Sequence, residues 1–595
     1  MSQFVSSHFK YNQMKRLFLL PLLAIIISCG DTKDNPENKD FTTRFEKSGG
    51  TETPTYQEVI AFYKDLDTAY RSIKTYEVGT TDAGEPLTLV TFNPNRSFDS
   101  EFSDDKDVRR ILINNGIHPG ESDGIDATMM LMRDLAQGKI EAPENTWVSA
   151  IAIYNVGGAL NRNSGTRTNQ NGPKEYGFRG NAQNYDLNRD FIKRDTKNAA
   201  AFAEIYHMIE PDVFIDNHVS NGADYQYTLT HLFTQHNKLG GALGDYVHDE
   251  FQPMLEEDLK TKDWEITPYV NVFNSTPEKG FSQFMDYPRY STGFTSLWNT
   301  IGLMVETHML KPYKPRVEGT YELMKSILKI TAENGTKIKE MRESAFNAFA
   351  KAETYPVQFE LDTTKTTTLD FLGYEGRMQP SEVTGKERLK YDVNKPFTKK
   401  VTYYDYFKPT KEVMIPKAYV IPRGYRDVAL ILKANDIKFD QLKKDTTFVA
   451  QVYHIDTYET RNSPYEGHYL HYNTSLKTSE EEVTIPRGGY IVPTDQKGIR
   501  YILETLEPEA TDSFFNWNFF DTILQQKEGF SPYVWEDKAQ QFLETHPKIR
   551  IEFNLKKSLN PDFANNWYAQ LDWIHKKSSS YEKAHLRYPI VRMLN

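Results

Sequence analysis

The chain of 595 residues contains one cysteine, Cys29. No intramolecular disulfide can form, so the fold must hold by burial alone, even in an oxidising compartment. Zinc fingers built on several thiolates are excluded by the same count. Basic charge is also short: 71 lysines and arginines face 82 aspartates and glutamates, for a net charge of -11. That balance speaks against a nucleic-acid partner, because phosphate binding needs a basic surface. The apolar run near the start, Leu17 to Ser28, has twelve residues, short of the ~20 that span a bilayer. Histidine is scarce, at 14 residues, so each one placed next to an apolar run is worth examining. Disorder is not expected, since 13% of residues are aromatic and 38% hydrophobic, enough for sizeable cores.

The short apolar run follows Met14-Lys15-Arg16 and reads as a secretory signal, with Met14 the expected start. Ile27-Ser28-Cys29-Gly30 resembles a bacterial lipobox. The resemblance implies lipidation of Cys29, export, and a membrane anchor on the periplasmic or cell-surface face. An ordinary signal peptide with an incidental cysteine is the plainer alternative. Residues 30–54 are polar and acidic at first and read as a tether.

Residues 55–352 alternate strand and helix patterns. "RRILINN" (109–115), "WVSAIAIYN" (147–155) and "DVFIDNH" (212–218) are buried-type strands. The stretch beginning at Gly124 is a helix that Asp123 is expected to cap, and 196–210 is a helix ended by Pro211. Residues 296–308 turn from helix into strand, and 319–352 read as an amphipathic helix. The expected fold class is α/β: a mixed, mainly parallel sheet with helices on both faces. Residues 353–595 have a different texture and read as a C-terminal α+β accessory module. Within it, "YVIPRGYRDVALIL" (419–432) and "YIVPTDQKGIRYIL" (490–503) look like two copies of a strand, a proline-led loop and a helix. The module shows no catalytic cluster, and His454, His468 and His471 are expected to be structural.

Four fragments carry chemistry. "NNGIHPGES" places His118 and Glu121 three apart, just past a strand, where sites in open α/β sheets collect. Gly120 is expected to permit a tight turn between them. Chance alone gives about one His-x-x-Glu here, so the motif needs completion. A catalytic zinc takes three protein ligands and keeps one position open, and His218, at the end of another strand, is the candidate third. Glu306 ends a further apolar strand and suits a general base; a rim glutamate paired to Lys311 is the alternative. "FRGNAQNYDLNRDF" collects Arg179, Asp186, Asn188 and Arg189. An Asn-Arg pair can hold a carboxylate, a second arginine can stabilise an oxyanion, and an aspartate can orient a metal-bound histidine. A charged surface loop is the bland alternative for this fragment.

Taken in order, His-Pro-Gly-Glu, Arg-Gly-Asn-Ala, Asp-Leu-Asn-Arg-Asp-Phe, Asp-x-His and a strand ending in Glu resemble the zinc carboxypeptidases of the M14 type, over roughly residues 55 to 350. The resemblance implies one Zn2+ per chain on His118, Glu121 and His218, with Asp186 as partner of the first histidine. It implies Glu306 as general base and Arg179 as the group that polarises the scissile carbonyl. Asn188 and Arg189 would grip the terminal carboxylate of a peptide substrate. Tyr287 and Tyr290 both compete for the tyrosine that closes over substrate, with Tyr290 preferred. His308 is expected to face the side of Glu306 and to tune it or pair with it. The activity implied is hydrolysis of a C-terminal peptide bond. A muropeptide carboxypeptidase or amidase, an N-acyl amino acid deacylase, and a non-catalytic binding lipoprotein are the competing readings.

Overall fold

The computed structural model describes residues 39–98 and 107–594. Residues 1–29, expected to be a signal segment with Cys29, and residues 30–38 of the expected tether lie outside the described residues; the rest of that expected tether, 39–54, is folded, with a helix at Arg44–Lys47 and Phe41 and Phe45 buried. No helix among those described is long and apolar enough to cross a membrane.

Eight strands form the central sheet. They are β1 (Ile73–Val78), β2 (Leu87–Phe92), β3 (Arg109–Asn114), β4 (Thr146–Ile151), β5 (Val213–Val219), β6 (Leu229–Phe233), β7 (Ile266–Pro268) and, after the two-residue β8 (Phe281–Ser282) of another sheet, β9 (Ile301–Thr307). Their spatial order is β1-β2-β4-β3-β5-β9-β6-β7. The strands β4, β3, β5 and β9 run parallel in the middle, β1 and β2 pair antiparallel to their neighbours, and β6 runs antiparallel to β9 but parallel to β7. The sheet is therefore mixed, as the alternating pattern implies.

The apolar strands owe their near-continuous hydrophobicity to burial on both faces. Side chains alternate: Ile111, Ile113, Val213 and Ile215 enter one core, and Leu112 and Phe214 the other. The first core is closed by helices Tyr56–Ala69, Asp123–Ala136 and Tyr313–Lys351. The second is closed by helix Lys197–Ile209 and, alongside it, by the C-terminal half: Tyr419, Ile421, Tyr501, Ile502 and Phe515 belong to the same cluster as Phe202 and Phe214.

That shared core gives the C-terminal half a closer tie to the sheet than its change of texture suggests. Arg500 is fully buried and donates to the carbonyls of Ser296 (2.7 Å) and Lys238 (2.6 Å) and to Asn299 Oδ1 (3.0 Å). Tyr501 donates to the Ile192 carbonyl at 3.0 Å. The two similar stretches of the C-terminal half do form strand-then-helix units. Their strands, Ala418–Ile421 and Tyr490–Pro493, pair antiparallel with each other inside a six-stranded sheet.

One local expectation is corrected. Ser122, not Asp123, occupies the N-cap of helix Asp123–Ala136. The carboxylate of Asp123 instead accepts from the Thr307 hydroxyl at 2.7 Å and faces Arg316, which ties the start of this helix to the end of β9.

Phe202 packs edge-on against Phe191 and Phe214 and beside Tyr206 and Phe294. Its truncation leaves a void that so many rigid rings cannot fill. Phe202→Ala should cost about 3–5 kcal/mol of unfolding free energy in denaturant titration.

Candidate metal centre

Three adjacent parallel strands deliver the site. His118 and Glu121 follow the carboxyl end of β3, and His218 and Glu306 are the next-to-last residues of β5 and β9. His218 and Glu306 are register partners across β5 and β9. Glu121 is fixed by a turn in which its amide donates to the His118 carbonyl at 2.8 Å.

The ligand atoms of His118, Glu121 and His218 all lie within 4.8 Å of one another, and all three residues are buried. His118 Nδ1 is 3.1 Å from Glu121 Oε1, and His218 Nδ1 is 2.9 Å from Glu121 Oε2. The outer nitrogens are already occupied: His118 Nε2 meets Asp186 Oδ1 at 2.9 Å, and His218 Nε2 meets Asp216 Oδ2 at 3.0 Å. Each imidazole is thus turned so that its Nδ1 faces the common centre. Carboxylates in that outer position orient a metal-bound histidine and raise its basicity.

Electrostatics favour a cation there. Burial opposes charge on His218, yet Asp216 and Glu121 push it well above the usual histidine range. Burial likewise opposes ionisation of Glu121, but Arg167, His118 and His218 hold it well below the usual carboxylate range. Asp186 is lowered against its burial by His118, Arg179 and Arg189. Two nitrogens and one carboxylate, with room on the cavity side, fit the donor set of a catalytic zinc. A tetrahedral shell at 2.0–2.1 Å has ligand-to-ligand edges of roughly 3.3–3.4 Å, slightly longer than the two histidine–glutamate spacings of 3.1 and 2.9 Å.

A cavity of about 260 Å³ opens on this centre, and Glu306, Arg179, Asn188, Arg189 and Tyr290 all line it. Burial pushes the Glu306 carboxyl up to about 8; His218 and Arg179 oppose the rise, and Glu121 and Asp216 add to it. Lys311 is not paired with it but donates to the Tyr374 hydroxyl at 3.3 Å. Arg179 reaches Asp186 Oδ2 through Nη2 at 2.8 Å and brings Nη1 to 3.5 Å from His118 Nδ1.

Asn188 and Arg189 sit in a single 3-10 turn, Leu187–Arg189, whose N-cap Asp186 accepts from the Asn188 amide at 3.0 Å. Leu187 is buried, and Asp190 pins the following loop by accepting from Lys193, Thr196 and the Asp195 amide. The Arg189 guanidinium lies over the Tyr290 ring at 4.6 Å. Tyr287 faces elsewhere: it is no part of the cavity lining, and its hydroxyl points to the Phe359 carbonyl at 3.4 Å.

One expectation is corrected. His308 does not meet Glu306. The strand ends at Thr307, so the two-residue alternation no longer applies. His308 stacks on Tyr225 at 4.2 Å and bonds Asp224 at 2.9 Å. The tight turn expected at Gly120 forms, and a Cβ there would come within 2.8 Å of Arg167 and 2.9 Å of the Gly177 carbonyl.

Three contacts were not anticipated. Asp216 sits two residues before His218 on the same strand face, a position that the Asp-x-His spacing already marks. Arg167 donates to Glu121 Oε1 at 2.6 Å from a loop with no sequence signal. Tyr465, from the C-terminal half, accepts from Arg189 Nε at 2.9 Å.

Residues 59–212 match the sequence model of the zinc carboxypeptidase family, Peptidase M14. Carboxypeptidase 2 of Trichophyton equinum is 21% identical over 489 residues, covering 78% of this chain and 84% of that protein, and carboxypeptidase 2 of Trichophyton rubrum gives the same figures. Among solved structures, a metallo-carboxypeptidase from Pseudomonas aeruginosa is 14% identical, with a TM-score of 0.36 over 48% of this chain and 70% of that one. Carboxypeptidase A from Helicoverpa armigera gives 11% and 0.34 over 49% and 74%. With its buried His-Glu-His cluster inside a mixed α/β sheet and its match over residues 59–212, the chain is similar to the zinc carboxypeptidases.

Proposed function

We propose that the protein removes the C-terminal residue of peptides, with Glu306 as general base and one ion per chain held by His118, Glu121 and His218. The observation that carries this reading is the convergence on one cavity of the three ligands, Glu306, Arg179 and the Asn188-Arg189 pair. When bound, the ion supplies a Lewis acid that polarises a carbonyl and acidifies a water.

The chain's own residues do the rest. Asn188 and Arg189 receive the terminal carboxylate by charge-assisted hydrogen bonds. This places the scissile carbonyl beside Arg179, whose guanidinium stabilises the oxygen as negative charge develops. Glu306 takes a proton from the attacking water and returns it to the leaving amine, which breaks the C–N bond. Tyr290 closes one side of the cavity. Asp186 and Asp216 hold the imidazoles so that neither ligand must reorient.

Specificity follows from the remaining lining. Leu232 and Met304 are register partners on β6 and β9, and Met304 lies two residues before Glu306 on the same strand face. With Phe284, Tyr269 and Phe273 they make a largely apolar wall without a charged side chain, Asn221 and Asn271 being the polar members of this part of the lining. A charged terminal side chain would lose hydration there without gaining a partner.

Export and anchoring through a lipidated Cys29 belong to the same reading and rest on the sequence alone.

Glu306→Gln should keep the metal, measured by elemental analysis, and lose about 10²- to 10⁴-fold in kcat. In the wild-type protein kcat/KM should rise with pH through a limb between 4.5 and about 8. The sign follows from the base being competent only after losing its proton, and the position from a bound dication drawing the burial-raised value downward. A metal-loaded Glu306→Gln protein with undiminished turnover would remove Glu306 from this role. On otherwise identical peptides, terminal phenylalanine or leucine should be cleaved at least about tenfold more efficiently than terminal arginine or aspartate. Equal rates would overturn the assigned preference.

A further inference from the structure

The C-terminal half reaches into the carboxylate-binding end of the cavity. Two long strands, Thr446–Thr460 and His471–Ile485, are joined by residues 461–470. The tip of this connection is a tight two-residue turn. Tyr465 and His468 exchange backbone hydrogen bonds at 2.7 and 3.0 Å, and Glu466 and Gly467 between them both have positive φ, 51° and 78°. That is the signature of a type I′ hairpin turn.

Every residue of the tip meets the loop that carries Asn188 and Arg189. Tyr465 accepts from Arg189 Nε at 2.9 Å. Glu466 accepts from the Asp186 amide at 2.8 Å. Gly467 lies against Tyr185, whose hydroxyl would be 3.1 Å from a Cβ built there. His468 meets Asp195 Oδ2 at 2.7 Å. The tip is itself braced. The Tyr465 ring stacks at 6.1 Å on Trp517, which is fully buried, and the Arg289 guanidinium lies 5.7 Å from the Tyr465 ring and 5.1 Å from Trp517. Arg289 is held in turn by Asp512, through Nε at 2.8 Å and Nη2 at 2.6 Å.

The consequence concerns Arg189. Its Nη1 donates to the Asn188 carbonyl at 2.6 Å, and its flat face rests on Tyr290. With Nε also held by Tyr465, rotation about the end of the side chain is blocked. The fork then stands pre-aimed at the cavity, and binding has less side-chain freedom to remove.

We propose that Tyr465 is a positioning residue for substrate recognition: through Arg189 it fixes the grip on the terminal carboxylate, so the C-terminal half is a working part of the binding site. The inference rests on the reading that Arg189 binds that carboxylate. Tyr465 does not line the cavity and acts only through Arg189.

The test is steady-state kinetics on the full chain, with a peptide ending in a free phenylalanine carboxylate and with its amidated form. Tyr465→Phe keeps the ring on Trp517 and removes only the hydroxyl. It should raise KM for the free acid about 5- to 20-fold, the worth of one hydrogen bond to a charged group, and leave kcat within about twofold. The inhibition constant of released phenylalanine should weaken in step, and discrimination against the amide should shrink. Arg189→Gln should raise KM further, and adding Tyr465→Phe to it should change KM by less than about twofold. An unchanged KM in Tyr465→Phe beside a large effect of Arg189→Gln overturns the proposal alone. So does an undiminished effect of Tyr465→Phe in the Arg189→Gln background, because Tyr465 would then act by another route. If Arg189→Gln itself leaves KM unchanged, the carboxylate-binding reading fails and the positioning role falls with it.

Discussion

Two imidazoles with their outer nitrogens already committed to carboxylates are the constraint on which the site depends. Asp186 and Asp216 take Nε2 of His118 and His218, which leaves each Nδ1 facing Glu121. Without those outer bonds either ring could turn, and the three donors would share no centre. The outer carboxylates are themselves tethered. Asp186 is held by Arg179, by the Asn188 amide and by the loop it caps. Asp216 accepts from the Ser291 hydroxyl and from Asn114 Nδ2 at 3.3 Å. The geometry of the centre is thus inherited from strand register on one side and from a capped turn on the other.

Charge balance explains the crowding around it. Glu121, Asp186, Asp216 and Glu306 cluster within one buried region, and Arg167, Arg179 and Arg189 face them. Unpaired carboxylates at such depth would be costly. Fixed arginines offset part of that cost, and a dication at the centre would offset more. The raised Glu306 carboxyl is the residue of this imbalance, and it is the property a base working near neutrality needs. Arg189 is in turn held by Tyr465, far along the chain, which is why the C-terminal half cannot be a separate ornament. Its aromatic side chains share a core with helix Lys197–Ile209, and its hairpin tip rests on the turn that carries Arg189.

Much of this was legible in the sequence, for a physical reason. Apolar runs marked β3, β5 and β9, and residues placed just past or at the ends of parallel strands must gather on one edge of the sheet. His118, Glu121, His218 and Glu306 were found that way. The long helix Tyr313–Lys351 and the paired strand-then-helix units announced themselves by periodicity and by similarity. Contacts between loops left no such trace. Arg167 and Tyr465 lie in segments without a pattern, and the bond from Tyr465 to Arg189 spans 276 positions. Asp216 carried a readable signal, since residues two apart on a strand share a face, but it drew attention only as part of a motif. Local rules misjudged Asp123 and His308, because tertiary partners decided each: Thr307 for the first, Asp224 and Tyr225 for the second.

The central claim is that His118, Glu121 and His218 hold one catalytic ion. Zinc X-ray absorption on the purified full chain, combined with elemental analysis, tests it most directly. The account predicts one zinc per chain, with two imidazole nitrogens and carboxylate oxygen at about 2.0–2.2 Å, and loss of that signal in His218→Ala. Absence of stoichiometric zinc, or a coordination shell unchanged in His218→Ala, would contradict it.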